Sequence, residues 1–194
     1  MTKRSGVFTE TIPDSSELSM SIERVYIRGI RSSDRREVIA LTNASAEFHQ
    51  TWISPPLTPQ TFKAYLRRCH QDDHEGLVVC LVGSEEIVGI ININNIVRGS
   101  FLSASLGYYS SVKHQGFGYM TEGLRLAVRF AFEELGLHRI EANIQPNNHA
   151  SRNLVQRCEF TLEGESKDYL FINGRWRDHE RWVRLDARSS LKRY

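Results

Sequence analysis

Gln115-Gly116-Phe117-Gly118 stands where a strand-like stretch gives way to a long helical pattern. Residues of this type at this place can bind phosphate. Glycine lets the backbone pass close to a ligand. The first N–H groups of a helix have no partner within it, and the positive end of the helix dipole attracts an anion. The first chemistry suggested is therefore the holding of a phosphorylated cofactor. A glycine pair this short is also an ordinary strand-to-helix turn, and the spacing leaves both readings open. Metal chemistry has less to stand on. The seven histidines show no ligand spacing, and Cys69-His70 with His74 reads as a solvated helix face.

The elements around this turn can be read from periodicity. After Gly118, apolar residues fall at Met120, Leu124, Ala127, Val128, Ala131, Phe132 and Leu135, the spacing of a helix with one buried face. Leu135-Gly136 stops it. Upstream, Val25–Ile30 alternates as a first strand. Ser33-Asp34 opens a helix, with Ser33 as its cap. Thr58-Pro59 opens another, to about Gln71, with Thr58 as cap and Pro59 at the first helical position. Leu77–Val82, Ile87–Ile93 and Phe101–Tyr109 read as strands, with Asn94-Asn95 breaking the pattern after the second. Arg139–Ile144 is a further strand and Ala150–Cys158 a short helix. Glu163–Ile172 and Arg175–Leu185 flank Asn173-Gly174, a two-residue hairpin signal. Antiparallel strands thus feed a strand–helix–strand unit. The expected class is α/β, a mixed, mostly antiparallel sheet with helices on both faces.

The totals set outer bounds. A chain of 194 residues, 40% hydrophobic and 25% charged, suits one globular domain. We expect a mobile leader over residues 1–20, a single domain over 21–186 and a basic tail over 187–194. A net charge of +2 calls for neither DNA nor a membrane as partner. No apolar run approaches the ~20 residues of a membrane span, and the N-terminal segment lacks the apolar core of a signal peptide. Three widely spaced cysteines fit a reduced, cytoplasmic protein. Monomer and homodimer are both open.

Gln115-Gly116-Phe117-Gly118-Tyr119-Met120 also matches the cofactor signature of the GCN5-related N-acetyltransferases: Gln or Arg, two residues, Gly, one residue, Gly or Ala. Met120 replaces the small last residue. His138–Asn143, Asn147–Ser151, Leu154, Phe160 and Glu163-Gly164 resemble the ribosomal-protein-alanine branch of that family. Asn95–Phe101, Lys167–Leu170 and Trp176–His179 resemble its RimJ-type members. The resemblance covers residues 24–186. It implies a sheet whose antiparallel and parallel halves splay apart, with acetyl-CoA in the cleft. The pyrophosphate is expected on backbone N–H groups of Gln115, Gly116, Phe117, Gly118, Tyr119, Met120 and Thr121. Pantetheine is expected along Tyr108-Tyr109-Ser110, with Asn148 and Ser151 beside it. No metal is implied.

Acetyl transfer to an amine needs a base for the amine, fixed donors for the carbonyl oxygen and a proton for the thiolate. Glu141, a carboxylate in an apolar strand, is the candidate base; it also reads as an ion-pair partner of Arg139. Asp168 and Asp178 are the alternatives. Under the resemblance, Ser151 is the candidate acid; its other reading is a hydroxyl satisfying a helix N-terminal N–H. Tyr169 is a further possible donor. Tyr108 and Tyr109 offer backbone N–H groups to the oxyanion. Arg98, Trp52 and Trp176 are candidates for the acceptor side. The expected function is acetylation of a protein N-terminal α-amine, of the ribosomal-protein-alanine type that the resemblance implies. The alternatives are a small-amine acetyltransferase (polyamine, aminoglycoside or amino acid) and a non-catalytic CoA-binding module at the ribosome. Arg181, Arg184, Arg188, Lys192 and Arg193 suggest the last.

Overall fold

The computed structural model describes residues 23–49 and 52–187. The expected leader, and all but the first residue of the expected tail, lie outside them. Seven strands form one sheet in the order β1-β2-β3-β4-β5-β7-β6. They are β1 (Val25–Gly29), β2 (His74–Leu81), β3 (Ile87–Val97), β4 (Ser103–Ser110), β5 (Arg139–Ile144), β6 (Thr161–Ile172) and β7 (Arg175–Leu185). Every pair is antiparallel except β4 with β5. The helices are α1 (Arg35–Ala44), α2 (Ala46–His49), α3 (Pro59–Arg68), α4 (Tyr119–Glu133) and α5 (His149–Arg157).

Strand alternation assigns each helix its face. Leu77 and Val79 of β2 pack with Leu124, Ala127, Val128 and Ala131 of α4 and Val155 of α5. Val78 and Cys80 point the other way and pack with Val38 and Leu41 of α1 and Phe62 of α3. Each fully buried Leu or Val side chain contributes roughly 1.5–3 kcal/mol, so α4 is anchored along its whole length.

The parallel pair is short. β4 meets β5 only from Ser103 opposite Arg139 to Leu106 opposite Ala142. Beyond that, β4 runs on to Ser110 beside β3 alone, while Asn143 and Ile144 stay with β7. The sheet therefore opens between Gly107–Ser110 and the end of β5.

Some expected boundaries shift. Asn94-Asn95 does not end β3. The strand takes up one extra residue as a bulge, Asn94 facing Ser105 and Val97 facing Ser103, with Asn95 at φ +53°. Asparagine tolerates that left-handed conformation. Ser33 does not cap a helix; it lies in a 3₁₀ turn, Ser32–Asp34, ahead of α1. The Asp34 carboxylate takes the Arg31 N–H at 2.7 Å and the Arg28 guanidinium at 2.8 and 2.9 Å. Thr58 does cap α3, accepting the Thr61 N–H at 3.2 Å.

Candidate active site

The opening in the sheet is the floor of a cleft of about 1350 Å³. Its two ends differ in chemistry because successive β4 residues face opposite sides. Leu106 and Tyr108 face α4 and α5; Ser105 and Tyr109 face α1 and α3.

The α4 side begins at the glycine turn. Gly116 and Gly118 both have φ +84°, and a Cβ at Gly116 would meet nothing within 4 Å. A side chain at either position would be strained by the backbone. Gly118 is the N-cap of α4 and brings no side-chain cap, so the first turn keeps donors for an outside acceptor. Arg24 lies beside this turn, bonded through Nε to Glu122 at 2.8 Å and stacked 5.0 Å from the Tyr119 ring. Met120, large where the cofactor signature has a small residue, has its space provided by β3. A Cβ on Gly89 would lie 2.2 Å from the Met120 sulfur.

Further along, Tyr108 and Ser151 share a hydroxyl–hydroxyl hydrogen bond of 2.5 Å. Burial raises the Tyr108 phenol, so it stays protonated. Asn148, not Ser151, caps α5: its Oδ1 accepts the Ser151 N–H at 3.1 Å. That leaves the Ser151 hydroxyl to Tyr108 instead of to the helix end. The β4 backbone also contributes. Ser111 N–H bonds Val88 on β3. By the alternation of an antiparallel ladder, Tyr109 also turns toward β3, while Tyr108 and Ser110 turn toward the opening.

The α1/α3 side is polar. Asn94 lies opposite Ser105, and Ser105 opposite Glu141, so three strands put polar residues in one row. Glu141 lines the cleft, but not as a lone carboxylate in an apolar strand. Its Oε1 accepts Arg139 Nε at 2.7 Å, and Arg139 also holds both oxygens of Glu163 at 2.9 and 2.6 Å. His49 of α2 donates Nε2–H to the Ser110 carbonyl at 2.7 Å and meets Tyr109 edge-on. Burial lowers its pKa and keeps it neutral. Trp52, Tyr169 and His179 complete this side.

The expected cofactor-binding residues, with Glu141 and Ser151, gather on one cleft with a single exception. Phe117 is 57% exposed, off the lining, and stacks on Tyr119 at 5.7 Å. Tyr109 lines the cleft from the side opposite Tyr108, its hydroxyl buried. Asp168 and Asp178 are off the lining. Asp178 takes the Asp168 N–H and Lys167 Nζ, each at 2.9 Å, which holds its carboxyl below the usual range. Arg98 bonds the Leu135 carbonyl at the end of α4. Trp176 is an exposed partner of Phe171 at the hairpin tip. Arg181 and Arg184 belong to β7 and pair with Glu163 and Glu159. Arg188, Lys192 and Arg193 lie outside the described residues. Cys158 is buried, its thiol pushed up to about 11 by burial, and is no nucleophile. Among the described residues no cluster could hold a metal ion, and no helix is long and apolar enough to cross a membrane.

His49, Asn94, Ser105 and His179 escaped the reading of the sequence. Asn94 left a signal in the alternation of Ile91-Asn92-Ile93-Asn94, with both asparagines on one face, and His179 closes the RimJ-like run from Trp176.

Residues 24–161 match the family of acetyltransferase (GNAT) domains, and the chain belongs to it. It is an N-acetyltransferase of the GNAT type. It is 29% identical over 164 residues to a probable N-acetyltransferase of Bacillus subtilis (strain 168), across 80% of this chain and 91% of that one. It is 47% identical over 95 residues to the [ribosomal protein uS5]-alanine N-acetyltransferase of Escherichia coli (strain K12), 49% of each chain. A spermidine N(1)-acetyltransferase of Vibrio cholerae is 27% identical over 172 residues, 85% of this chain and 95% of that one. Among solved structures, Mycobacterium smegmatis RimJ in complex with CoA-disulfide superposes with TM-score 0.75 at 26% identity, covering 87% of this chain and 84% of that one.

Proposed function

We propose that this chain transfers acetyl from acetyl-CoA to the α-amine of a protein N-terminus. One observation carries the reading: the sheet parts after Leu106 and Ala142, with a phosphate-binding turn and a hydroxyl pair on one side and a polar, carboxylate-bearing row on the other. Two reactants can meet there from opposite faces.

The cofactor's chemistry fits the residues present. Left-handed Gly116 and Gly118, with the uncapped first turn of α4, suit a pyrophosphate. The part of β4 that lacks a β5 partner suits an amide-bearing arm that adds to a sheet edge. Acetyl-CoA, when bound, supplies an activated acyl group. The chain's residues do the rest. Glu141 accepts the amine proton, directly or through a water. Backbone N–H groups of Tyr108 and Ser110 point toward the opening, where a carbonyl oxygen gains charge. Ser151, bonded to Tyr108, gives a proton to the departing sulfur.

An α-amine suits this machinery. Its pKa is near ~8, against ~10.4 for lysine, so it asks little of a base already paired with Arg139. The likeness to an alanine N-acetyltransferase acting on ribosomal protein uS5 supports a protein acceptor. The three described cysteines are free and buried, in keeping with a cytoplasmic setting. A small-amine acceptor is the second reading: Glu47 joins Glu141 on the lining, and two carboxylates attract a polyamine. The test is thiol release from acetyl-CoA over N-terminal peptides, spermidine and kanamycin. Release with Ser- or Ala-initiated peptides is expected; release with spermidine alone would point to the second reading.

A further inference from the structure

The β6–β7 hairpin carries an irregularity that the chemistry above does not use. Ser166 faces His179 and Leu170 faces Arg177, so four steps along β6 span two along β7. The surplus is a bulge centred on Asp168, a non-glycine residue at φ +47°. Such a conformation costs energy and persists where its surroundings fix it. Here Asp178 fixes it. One carboxylate oxygen takes the Asp168 N–H and the other the Lys167 ammonium, each at 2.9 Å.

The bulge leads into the cleft, which Tyr169 and the residues from Leu170 to Asn173 line. Asp168 and Asp178 stay outside the lining, but Tyr169, the next residue, is on it. Its ring stands edge-on to His179, 5.9 Å between centroids. His179 is 2% exposed, and its Nδ1–H is held by the Arg177 carbonyl at 2.9 Å, so it is a fixed backstop. Alternation puts His179 on the same face as Glu141, through Arg181 opposite Asn143 and Val183 opposite Glu141. The ring therefore stands on the acceptor side.

We infer that the β6 bulge is a specificity device: it sets Tyr169 beside the reacting amine, where the ring limits the acceptor's first side chain to small ones. Asp178 is the positioning residue. This rests on the N-terminal-amine reading above. The buried imidazole backs one side of the ring, while Tyr169 itself is 39% exposed. Pockets that exclude side chains by size discriminate by about 10–200-fold.

The test compares kcat/KM for Ser- and Leu-initiated peptides of otherwise identical sequence. Tyr169→Ala is expected to raise the Leu/Ser ratio at least ~10-fold, with the KM for acetyl-CoA unchanged. Asp178→Ala is expected to do the same from outside the cleft. Tyr169→Phe keeps the ring and Asp178→Asn keeps the acceptor for the Asp168 N–H, so both should retain the wild-type ratio. Trp176→Ala, off the lining, serves as control. An unchanged ratio in Tyr169→Ala overturns the inference. A shift in Tyr169→Ala without one in Asp178→Ala overturns the part assigned to the bulge. Peptide turnover absent in the wild type overturns the acceptor reading and this inference with it, whereas turnover with unmoved ratios overturns this inference alone.

Discussion

The Tyr108 and Ser151 hydroxyls lie 2.5 Å apart, joining the end of β4 that lacks a β5 partner to the first turn of α5. The bond exists because Asn148 takes over the capping of α5. Ser151→Ala should remove the proton donor to sulfur and lower kcat about 10²-fold, the low end for general acid–base catalysis. Tyr108→Phe should cost less, since Ser151 keeps its own proton. Steady-state kinetics at saturating acetyl-CoA would measure both; a Ser151→Ala enzyme at full rate assigns the proton to water.

Gly118→Val asks a branched residue to sit at φ +84° beside Arg24 and puts its side chain at the phosphate turn. Affinity for acetyl-CoA should fall at least ~10-fold, about 1.4 kcal/mol, with the sheet intact. Calorimetric titration of the folded variant gives the answer, and wild-type affinity would remove the turn from cofactor binding.

Glu141→Gln keeps the shape and removes the base. A large drop in kcat at neutral pH is expected, with acetyl-CoA binding intact and partial recovery at high pH, where more amine is neutral. The Arg139 pairing suggests a companion variant. Arg139→Gln removes the 2.7 Å contact that orients Glu141 and should lower kcat, by less than Glu141→Gln does, with acetyl-CoA binding intact. Wild-type rates in Glu141→Gln would leave bulk water as the base.

Stability should depend on pH through three buried histidines. Burial lowers the pKa values of His49, His74 and His179. The unfolded chain, with histidine pKa near ~6.5, then binds more protons below that pH. Stability is therefore full above about 6.5 and falls as pH drops toward 5, by at most about 1.4 kcal/mol per pH unit for each histidine. Urea midpoints at pH 7.5 and 5.5 test this. His49→Gln should flatten the dependence; an equal slope would assign it elsewhere.

The order of the strands and of helices α1, α3, α4 and α5 was legible in the sequence because each carries a local signal, whereas the four-residue α2 was not read. Arg139–Ile144 alternates, Thr58-Pro59 caps and starts α3, and Asn173-Gly174 closes the hairpin. The glycine turn was legible for the same reason. What escaped depends on pairing. Ser105 and Glu141 are thirty-six positions apart and meet only through the β4–β5 register. His49 gains meaning only beside the Ser110 carbonyl. Asn94-Asn95 looked like a break because a bulge and a strand end share residue types. Asp168 and Asp178 looked like bases because a sequence does not show that Asp178 is occupied by the Asp168 N–H and Lys167.

The most direct measurement is a competition. An equal mixture of Ser-, Ala- and Met-initiated peptides, spermidine and kanamycin is incubated with the protein and acetyl-CoA, and the products are located by mass spectrometry. Labelling at the α-amine of the Ser- and Ala-initiated peptides, with lysine side chains left largely unmodified, is the expected result. Dominant labelling of spermidine or kanamycin would contradict the N-terminal reading.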